Sequence, residues 1–259
     1  MAGAAPDLRF DLVVATVDRV DELDHLLASL EQQTHADFRV IVADQNADER
    51  LSPVVARHPD LQIERVAAPP GLSRARNAAL ELVRADAVAF PDDDCVYPPD
   101  LLERVAARLD RLDGVTGREP WWTTEAATLT RENLWNRAIS FTIFLRREVV
   151  ERVGAFDEEL GLPSSSGEEI DYLIRALDGG ARIEYDPSLV VDHPRKQHDP
   201  ADVGARDGAS VGYLLRKHRY PAGTVARMLL RPAAGTVLDP RHARFHLSTF
   251  RGRVHGYRR

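Results

Sequence analysis

Three consecutive aspartates, Asp92, Asp93 and Asp94, stand in the stretch "FPDDDCVYPPDLL", directly after an apolar run and directly before a helix-like segment. Three like charges at the end of a buried strand repel one another unless a cation or a donor-rich ligand shares the site. The Asp-x-Asp spacing suits a hard divalent ion, because magnesium and manganese prefer oxygen ligands and are usually held by one or two carboxylates together with substrate phosphates. A second acidic group, Glu168, Glu169 and Asp171 in "GEEIDYLIRAL", opens a helical period. Carboxylates there either favour the positive end of the helix dipole or serve as general bases.

The elements that must hold these residues follow from periodicity. "FDLVVATV", "FRVIVAD", "LQIERVA" and "AVAF" read as strands, while Leu23, Leu26, Leu27 and Leu30 fall at i, i+3, i+4 and i+7 on one helix face. Gly71 ends a turn, and Ser73 is placed to cap a helix over "SRARNAALELVRA". This alternation predicts an α/β fold, a mostly parallel sheet flanked by helices. Ligands of such sheets sit beyond the carboxyl ends of the strands, where this chain places Thr16 to Arg19, Asp44 to Asn46 and Asp92 to Asp94.

Past residue 110 the alternation stops. "VTGREPWWTTEAATLTRENLWN" is expected to be a long loop, in which Trp121 and Trp122 either shape an acceptor pocket or cover core. A strand over "SFTIFL", a helix over "RREVVERVGAFDE" ended by Gly154, and a helix with Ile170, Leu173, Ile174 and Leu177 facing inward are expected next. A strand pair, "ARIEY" and "SLVVDH", then ends on His193.

At 259 residues, 44% hydrophobic and 29% charged, the chain is an ordinary globular one. One catalytic domain over 1–200 is expected, with a nucleotide-binding part over about 8–110 and an acceptor part over about 111–200, followed by a basic helical appendage over 201–259. The one cysteine, Cys95, excludes an intramolecular disulfide and fits a reducing cytoplasm. The N-terminus lacks the pattern of a secretory leader, and the longest uncharged apolar window, "AISFTIFL", is far too short to span a bilayer.

The net charge of −7 is unevenly spread. From Val203 to Arg259, 12 Lys and Arg face two acids, Asp207 and Asp239, a balance of +10 that leaves −17 on the first 202 residues. No nucleic-acid-binding motif accompanies the basic segment, so nucleic acid is not an expected partner. "YLLRKHRYPAGTVARMLLRP" mixes Leu, Met and Tyr with Arg and Lys in the manner of an interfacial helix pair. Peripheral association with an anionic membrane is one reading of it, and packing against the acidic body or a partner subunit the other.

Four landmarks in order, "VVATVDRVDELDHLLASLEQQT", "VIVADQN", "GLSRARNAAL" with "AFPDDDC", and "GEEIDYLIRAL", give the chain its resemblance to the family 2 glycosyltransferases, over about Asp11 to His193. The resemblance implies a GT-A, Rossmann-like fold and an inverting transfer of a sugar from a nucleotide-diphosphate sugar, with a UDP-sugar favoured and Mn2+ or Mg2+ as cofactor. It implies that Asp94 coordinates the metal, that Asp92 and Asp93 serve ribose hydroxyls and the metal's water shell, and that His193 completes the metal site. Thr16, Asp18 and Arg19 resemble the first nucleotide-contacting loop, and Asp44 resembles the contact to the nucleobase. Of Arg74, Arg76 and Asn77, which could reach the nucleotide or diphosphate, Arg74 and Asn77 are favoured. Glu169 aligns with the family's catalytic base, with Glu168 and Asp171 beside it, although the family more often has aspartate there. The Q-x-x-R-W motif and membrane helices of processive synthases in this family are missing, which implies one sugar per encounter.

Two alternatives stay open on the residues themselves. "DDDCV" also fits the nucleophile loop of haloacid-dehalogenase-type phosphatases, although it follows the fourth strand instead of the first. A nucleotide-sugar-binding protein without transfer activity is the other.

Overall fold

The computed structural model describes residues 8–162, 166–194 and 199–259. The chain divides into two compact units, Met1–Phe156 with Tyr172–Pro194, and Asp157–Asp171 with Arg195–Arg259.

The first unit opens with β1 (Phe10–Thr16), α1 (Val20–Leu30), β2 (Phe38–Asp44), α2 (Ser52–Arg57), β3 (Ile63–Ala67), α3 (Leu72–Leu80) and β4 (Ala87–Ala89). It continues through α4 (Leu101–Leu109), β5 (Gly114–Arg118), β6 (Ala127–Thr128), β7 (Ile143–Arg146) and α5 (Arg147–Val153). Helix α6 (Glu168–Asp178), within which the division between the units falls, leads into β8 (Ile183–Val190). Among the described residues these strands form one sheet in the order β3-β2-β1-β4-β7-β5-β8-β6. Strands β1 to β4 run parallel, as does the β5/β8 pair, whereas β7 lies antiparallel between β4 and β5, and β6 is antiparallel to β8. This is a mixed α/β architecture, one eight-stranded sheet flanked by helices, with a helical C-terminus.

Burial explains the first half. Six of the seven residues of β1 are buried, the continuous apolar pattern of a strand covered on both faces by helices. The polar exception inside it, Asp11, is paired in register with Arg39 of β2, whose guanidinium donates to it at 2.9 and 3.0 Å, and it accepts the Arg84 and Ala85 amides at 2.7 and 2.9 Å. Leu23, Leu26, Leu27 and Leu30 of α1 are buried as their spacing requires.

Three local expectations are corrected. The cap of α3 is Gly71, at φ 116°, a conformation that glycine adopts without a side-chain clash, while Ser73 lies buried inside the helix. The segment expected as loop after residue 114 begins with the buried strand β5, and the expected strand pair is one strand, β8. The sequence hid β5 because backbone approach, not apolar side chains, defines it: a Cβ on Gly117 would lie 2.3 Å from the Leu189 carbonyl oxygen. In β8, Pro187 falls in the stretch where the pairing with β5 shifts register, between Tyr185 and Val190, so its missing N–H interrupts no ladder.

The second unit contains the first turn of α6 and three helices, α7 (Pro200–Lys217), α8 (Ala222–Leu238) and α9 (Ala243–Arg258). Helices α7 and α9 meet backbone to backbone, since a Cβ on Gly256 would stand 1.8 Å from the Ala209 carbonyl oxygen. No helix among the described residues is long and apolar enough to cross a membrane.

Candidate active site

The carboxyl ends of β1, β2 and β4 converge on one crevice of the first unit, the place where a sheet of this topology binds ligands. The ends are laced together by side chains. Asp44 accepts from the backbone and side-chain nitrogens of Asn46 at 2.9 and 2.8 Å; Asn46 in turn accepts the Asp18 amide at 2.8 Å, and Asp18 takes φ 59° to make the bend. Gln45 accepts the Gly71 amide at 2.8 Å, which ties the start of α3 to the end of β2. Asp44 is itself buried, with Arg65 Nε 3.6 Å from its other oxygen, whereas the Asp18 side chain is exposed and bonded to Arg50.

The triplet follows β4 and is not bare. Arg19, at the N-terminal boundary of α1, donates to Asp93 at 2.6 Å and to Asp94 at 3.0 Å. Burial pushes the Asp93 carboxyl above its ordinary range, a rise that Thr16 and Arg19 only partly offset. Asp92 accepts from Arg76 at 3.0 Å and from the Ser140 hydroxyl at 3.0 Å. Cys95, next in the chain, is wholly buried, and that burial pushes its thiol well up, away from thiolate chemistry.

His193 is almost a hundred residues away in sequence, and a two-residue β-bridge brings it in. Val96 and Asp192 exchange backbone hydrogen bonds at 2.8 and 3.3 Å, so the residues on either side of the bridge, Asp94 and His193, fall together. His193 Nε2 lies 3.0 Å from Asp94 and 4.0 Å from Asp92, and its ring stacks on Phe141 with centroids 4.6 Å apart. One ligand atom from each of Asp92, Asp94 and His193 lies within 4.8 Å of the other two. An ion with ligand bonds of roughly 2.1 Å spans ligand atoms up to about 4.2 Å apart, so this spacing is on the scale of a single ion site. Two carboxylates beside an imidazole suit manganese or magnesium in the main, with nitrogen tolerated. Asp94 and His193 also line an open cleft of about 390 Å³ with Glu22, His25, Val96 and Asp192.

Helix α3 contributes differently from expectation. Arg74 is exposed, and Asn77 uses both ends of its amide on the backbone of Phe156, at 2.7 and 3.1 Å. The residue that reaches the triplet is Arg76, 1% exposed, with Phe90 and Phe156 rings 6.0 and 5.5 Å from its guanidinium carbon. The signal for it lay in the helical period, which puts Arg76 on one face with Ser73 and Ala79, both buried. Ser140 and Phe141 carried no comparable signal.

In the second unit the three acids of α6 divide by environment. Glu168 is buried, Glu169 is half-buried and Asp171 is fully buried. Asp171 stands 2.6 Å from Lys217 Nζ and 2.8 Å from His218 Nε2, so its carboxylate anchors the helix's first turn to the end of α7. Trp121, in the first unit, is 45% exposed and Trp122 half-buried, so the pair is not core.

Comparison with known proteins agrees with this geometry. The family model described as glycosyl transferase family 2 matches residues 11–153, more than half of the chain. An uncharacterized glycosyltransferase of Bacillus subtilis, YwdF, is 29% identical over 249 residues, covering 87% of this chain and 91% of that protein. The mannosyltransferase PcManGT of Pyrobaculum calidifontis, solved with GDP-Man and Mn2+, superposes with a TM-score of 0.72 at 16% identity, over 96% of this chain and 87% of its own. TarS 1-349 of S. aureus, solved with UDP-GlcNAc, gives a TM-score of 0.62 at 19% identity, over 97% of this chain and 92% of its own.

Proposed function

The chain belongs to the family 2 glycosyltransferases, and from that premise we propose an inverting, metal-dependent, non-processive enzyme that moves one sugar from a nucleotide-diphosphate sugar to an acceptor hydroxyl. The observation that carries this reading is the convergence of Asp92, Asp94 and His193 on one ion-sized gap at the carboxyl ends of the strands. Manganese or magnesium held there supplies positive charge where the diphosphate leaving group becomes negative. A UDP-sugar is the favoured donor in this reading, in which Asp44 accepts from a ring N–H of the base and Thr16, Asp18 and Arg19 form the loop around it. Asp93 would face the ribose and the water shell of the ion, and Arg19 would release the carboxylates to hold the diphosphate once the ion neutralises them.

Inversion is a single displacement at the anomeric carbon, which needs a base on the face opposite the leaving group. Half-buried Glu169, at the start of α6, fills that role in the proposal, with Glu168 shaping its surroundings. Trp121 and Trp122 are assigned to the acceptor, a hydroxyl of a glycan or glycolipid. The buried, inert Cys95 and the lack of any other cysteine support work in the reducing cytoplasm.

The test is a thermal-shift panel of UDP, GDP and dTDP, each with and without manganese, followed by a transfer assay with the nucleotide sugar of the base that wins. A ligand at about 100 times its dissociation constant stabilises the folded state by about 2.7 kcal/mol. A manganese-dependent shift that is largest for UDP is expected. Equal shifts with and without manganese would overturn the metal reading, and a largest shift with GDP would overturn the uracil reading.

A further inference from the structure

We propose that the outward face of α8 docks on the surface of an anionic lipid bilayer. Ordinary surface helices hide an apolar stripe and show water a polar one. Helix α8 shows water an apolar stripe as well. Leu230, Val237 and Leu238 are 59%, 79% and 83% exposed, and Ala226 and Ala234 are exposed with them. Positions 226, 230, 234, 237 and 238 follow the i, i+4, i+8, i+11, i+12 spacing of a single helix face. The opposite side carries the helix's two buried residues, Val225 and Pro232, and is bound to α9, where Arg253 donates to the Met228 carbonyl. The apolar stripe therefore has no covering element of its own within this unit.

Charge identifies the occupant. Arg227 and Arg231 flank the stripe and are exposed, and no acidic residue occurs in α8. Residues 222–259 hold eight arginines against one acid, Asp239, which is already bonded to His242 at 2.9 Å. A second copy meeting this face with its own would bring two such basic surfaces together. Elsewhere among the described residues the exposed large hydrophobics are Val17, Val96, Trp121 and Leu247, each single on its own segment, which offer no matching apolar stripe. Anionic headgroups over acyl carbon supply both complements at once, negative charge for the arginines and hydrocarbon for the leucines. The helix lies in the interface and does not cross it, in keeping with its length and composition. The inference does not depend on which nucleotide sugar the enzyme uses.

Flotation of the full chain with vesicles tests it, comparing pure phosphatidylcholine with equal parts phosphatidylcholine and phosphatidylglycerol. Wild-type protein should float with the anionic vesicles at low salt, be released at high salt, and remain behind with the neutral ones. The Leu230→Ser, Val237→Ser, Leu238→Ser triple variant should lose flotation more than tenfold with an unchanged melting temperature, because these side chains are already in water. Arg227→Gln with Arg231→Gln should lose roughly 25-fold, at about fivefold for each basic residue near the surface. Wild-type protein that does not float at low salt, or a triple variant that floats as well as wild type, would overturn the proposal. So would a concentration-dependent dimer in sedimentation that the triple variant abolishes without any flotation of wild type, which would make the face a self-interface.

Discussion

Arg76 donates to a carboxylate oxygen of Asp92 at 3.0 Å from a position that is 1% exposed, so a helix behind the acidic triplet holds one of its proposed metal ligands from below. A buried guanidinium needs a paired anion, and Asp92, more open to solvent at 27% of its side chain, provides one. Breaking such a pair from one side typically costs about 3–5 kcal/mol when both partners are buried. Arg76→Met should fall at or below the low end of that range in denaturant melts, because Asp92 can rehydrate. Its manganese affinity should fall too, since Asp92 is no longer aimed. Arg76→Lys keeps the charge but not the planar fork, so it should recover stability only in part. Wild-type manganese binding in both variants would show that Arg76 serves packing alone.

Asp94 lies at the centre of the site, 3.0 Å from both Arg19 and His193. Its proposed role is coordination, so Asp94→Ala should abolish the manganese-dependent part of a nucleotide-diphosphate thermal shift. Arg19 keeps its bond to Asp93 in that variant, which limits the loss of stability without metal. A manganese-dependent shift of wild-type size in Asp94→Ala would place the ion elsewhere.

The halves of the molecule differ in how openly the sequence announces them. Strands β1, β2 and β4 and helix α1 were legible because apolar pattern and burial coincide there, as in the four leucines of α1. The acidic triplet was legible because like charges after a buried strand demand a partner. Strand β5 was not, since Gly114 and Gly117 let backbones approach and leave almost no apolar pattern to read. Pro187 in the same way split β8 into two apparent strands, and the register shift that makes room for it is a property of two strands paired across a long sequence separation. Arg76 was passed over for Arg74 and Asn77 because solvated arginines are the ordinary case on a helix. The helical period shared with Ser73 and Ala79 was the available signal, and the tertiary partners Phe90, Phe156 and Asp92 are what make this one an interior residue.

Asp11 gives a stability prediction with a definite pH sign. Burial works to raise its carboxyl, but the Arg39 guanidinium and the Arg84 and Ala85 amides outweigh it and hold the carboxyl below the ordinary value of 3.8. A group depressed in the folded state stabilises the protein fully above its unfolded value, and that contribution disappears as pH falls through the folded one. Asp11→Ala should therefore lose stability at or below the low end of about 3–5 kcal/mol near neutral pH, because half-buried Arg39 keeps its bond to Glu64 while the buried Ala85 amide loses its acceptor. The gap to wild type should narrow below 3.8 as the wild-type carboxylate is protonated. Urea melts across that range check it, and a gap independent of pH would mean that packing, not charge, sets the loss.

The last prediction separates the acids of α6. Asp171 is wholly buried and held at 2.6 Å by Lys217 and 2.8 Å by His218, the arrangement of an anchor, whereas Glu169 beside it is only half-buried. A general base must come within about 3 Å of the acceptor hydroxyl, which an anchored and enclosed carboxylate does not do. Glu169→Gln should therefore leave melting temperature and nucleotide binding unchanged while cutting turnover roughly 10²-fold or more, the usual loss for a positioned base. Asp171→Asn should act in the opposite order, lowering the melting temperature first and turnover only as the first turn of α6 loosens. The helix dipole alone would make every acid in that turn worth only about 0.3–1 kcal/mol of stability and nothing in turnover. A Glu169→Gln enzyme with wild-type turnover, beside a stable Asp171→Asn enzyme that has lost it, would reverse the assignment.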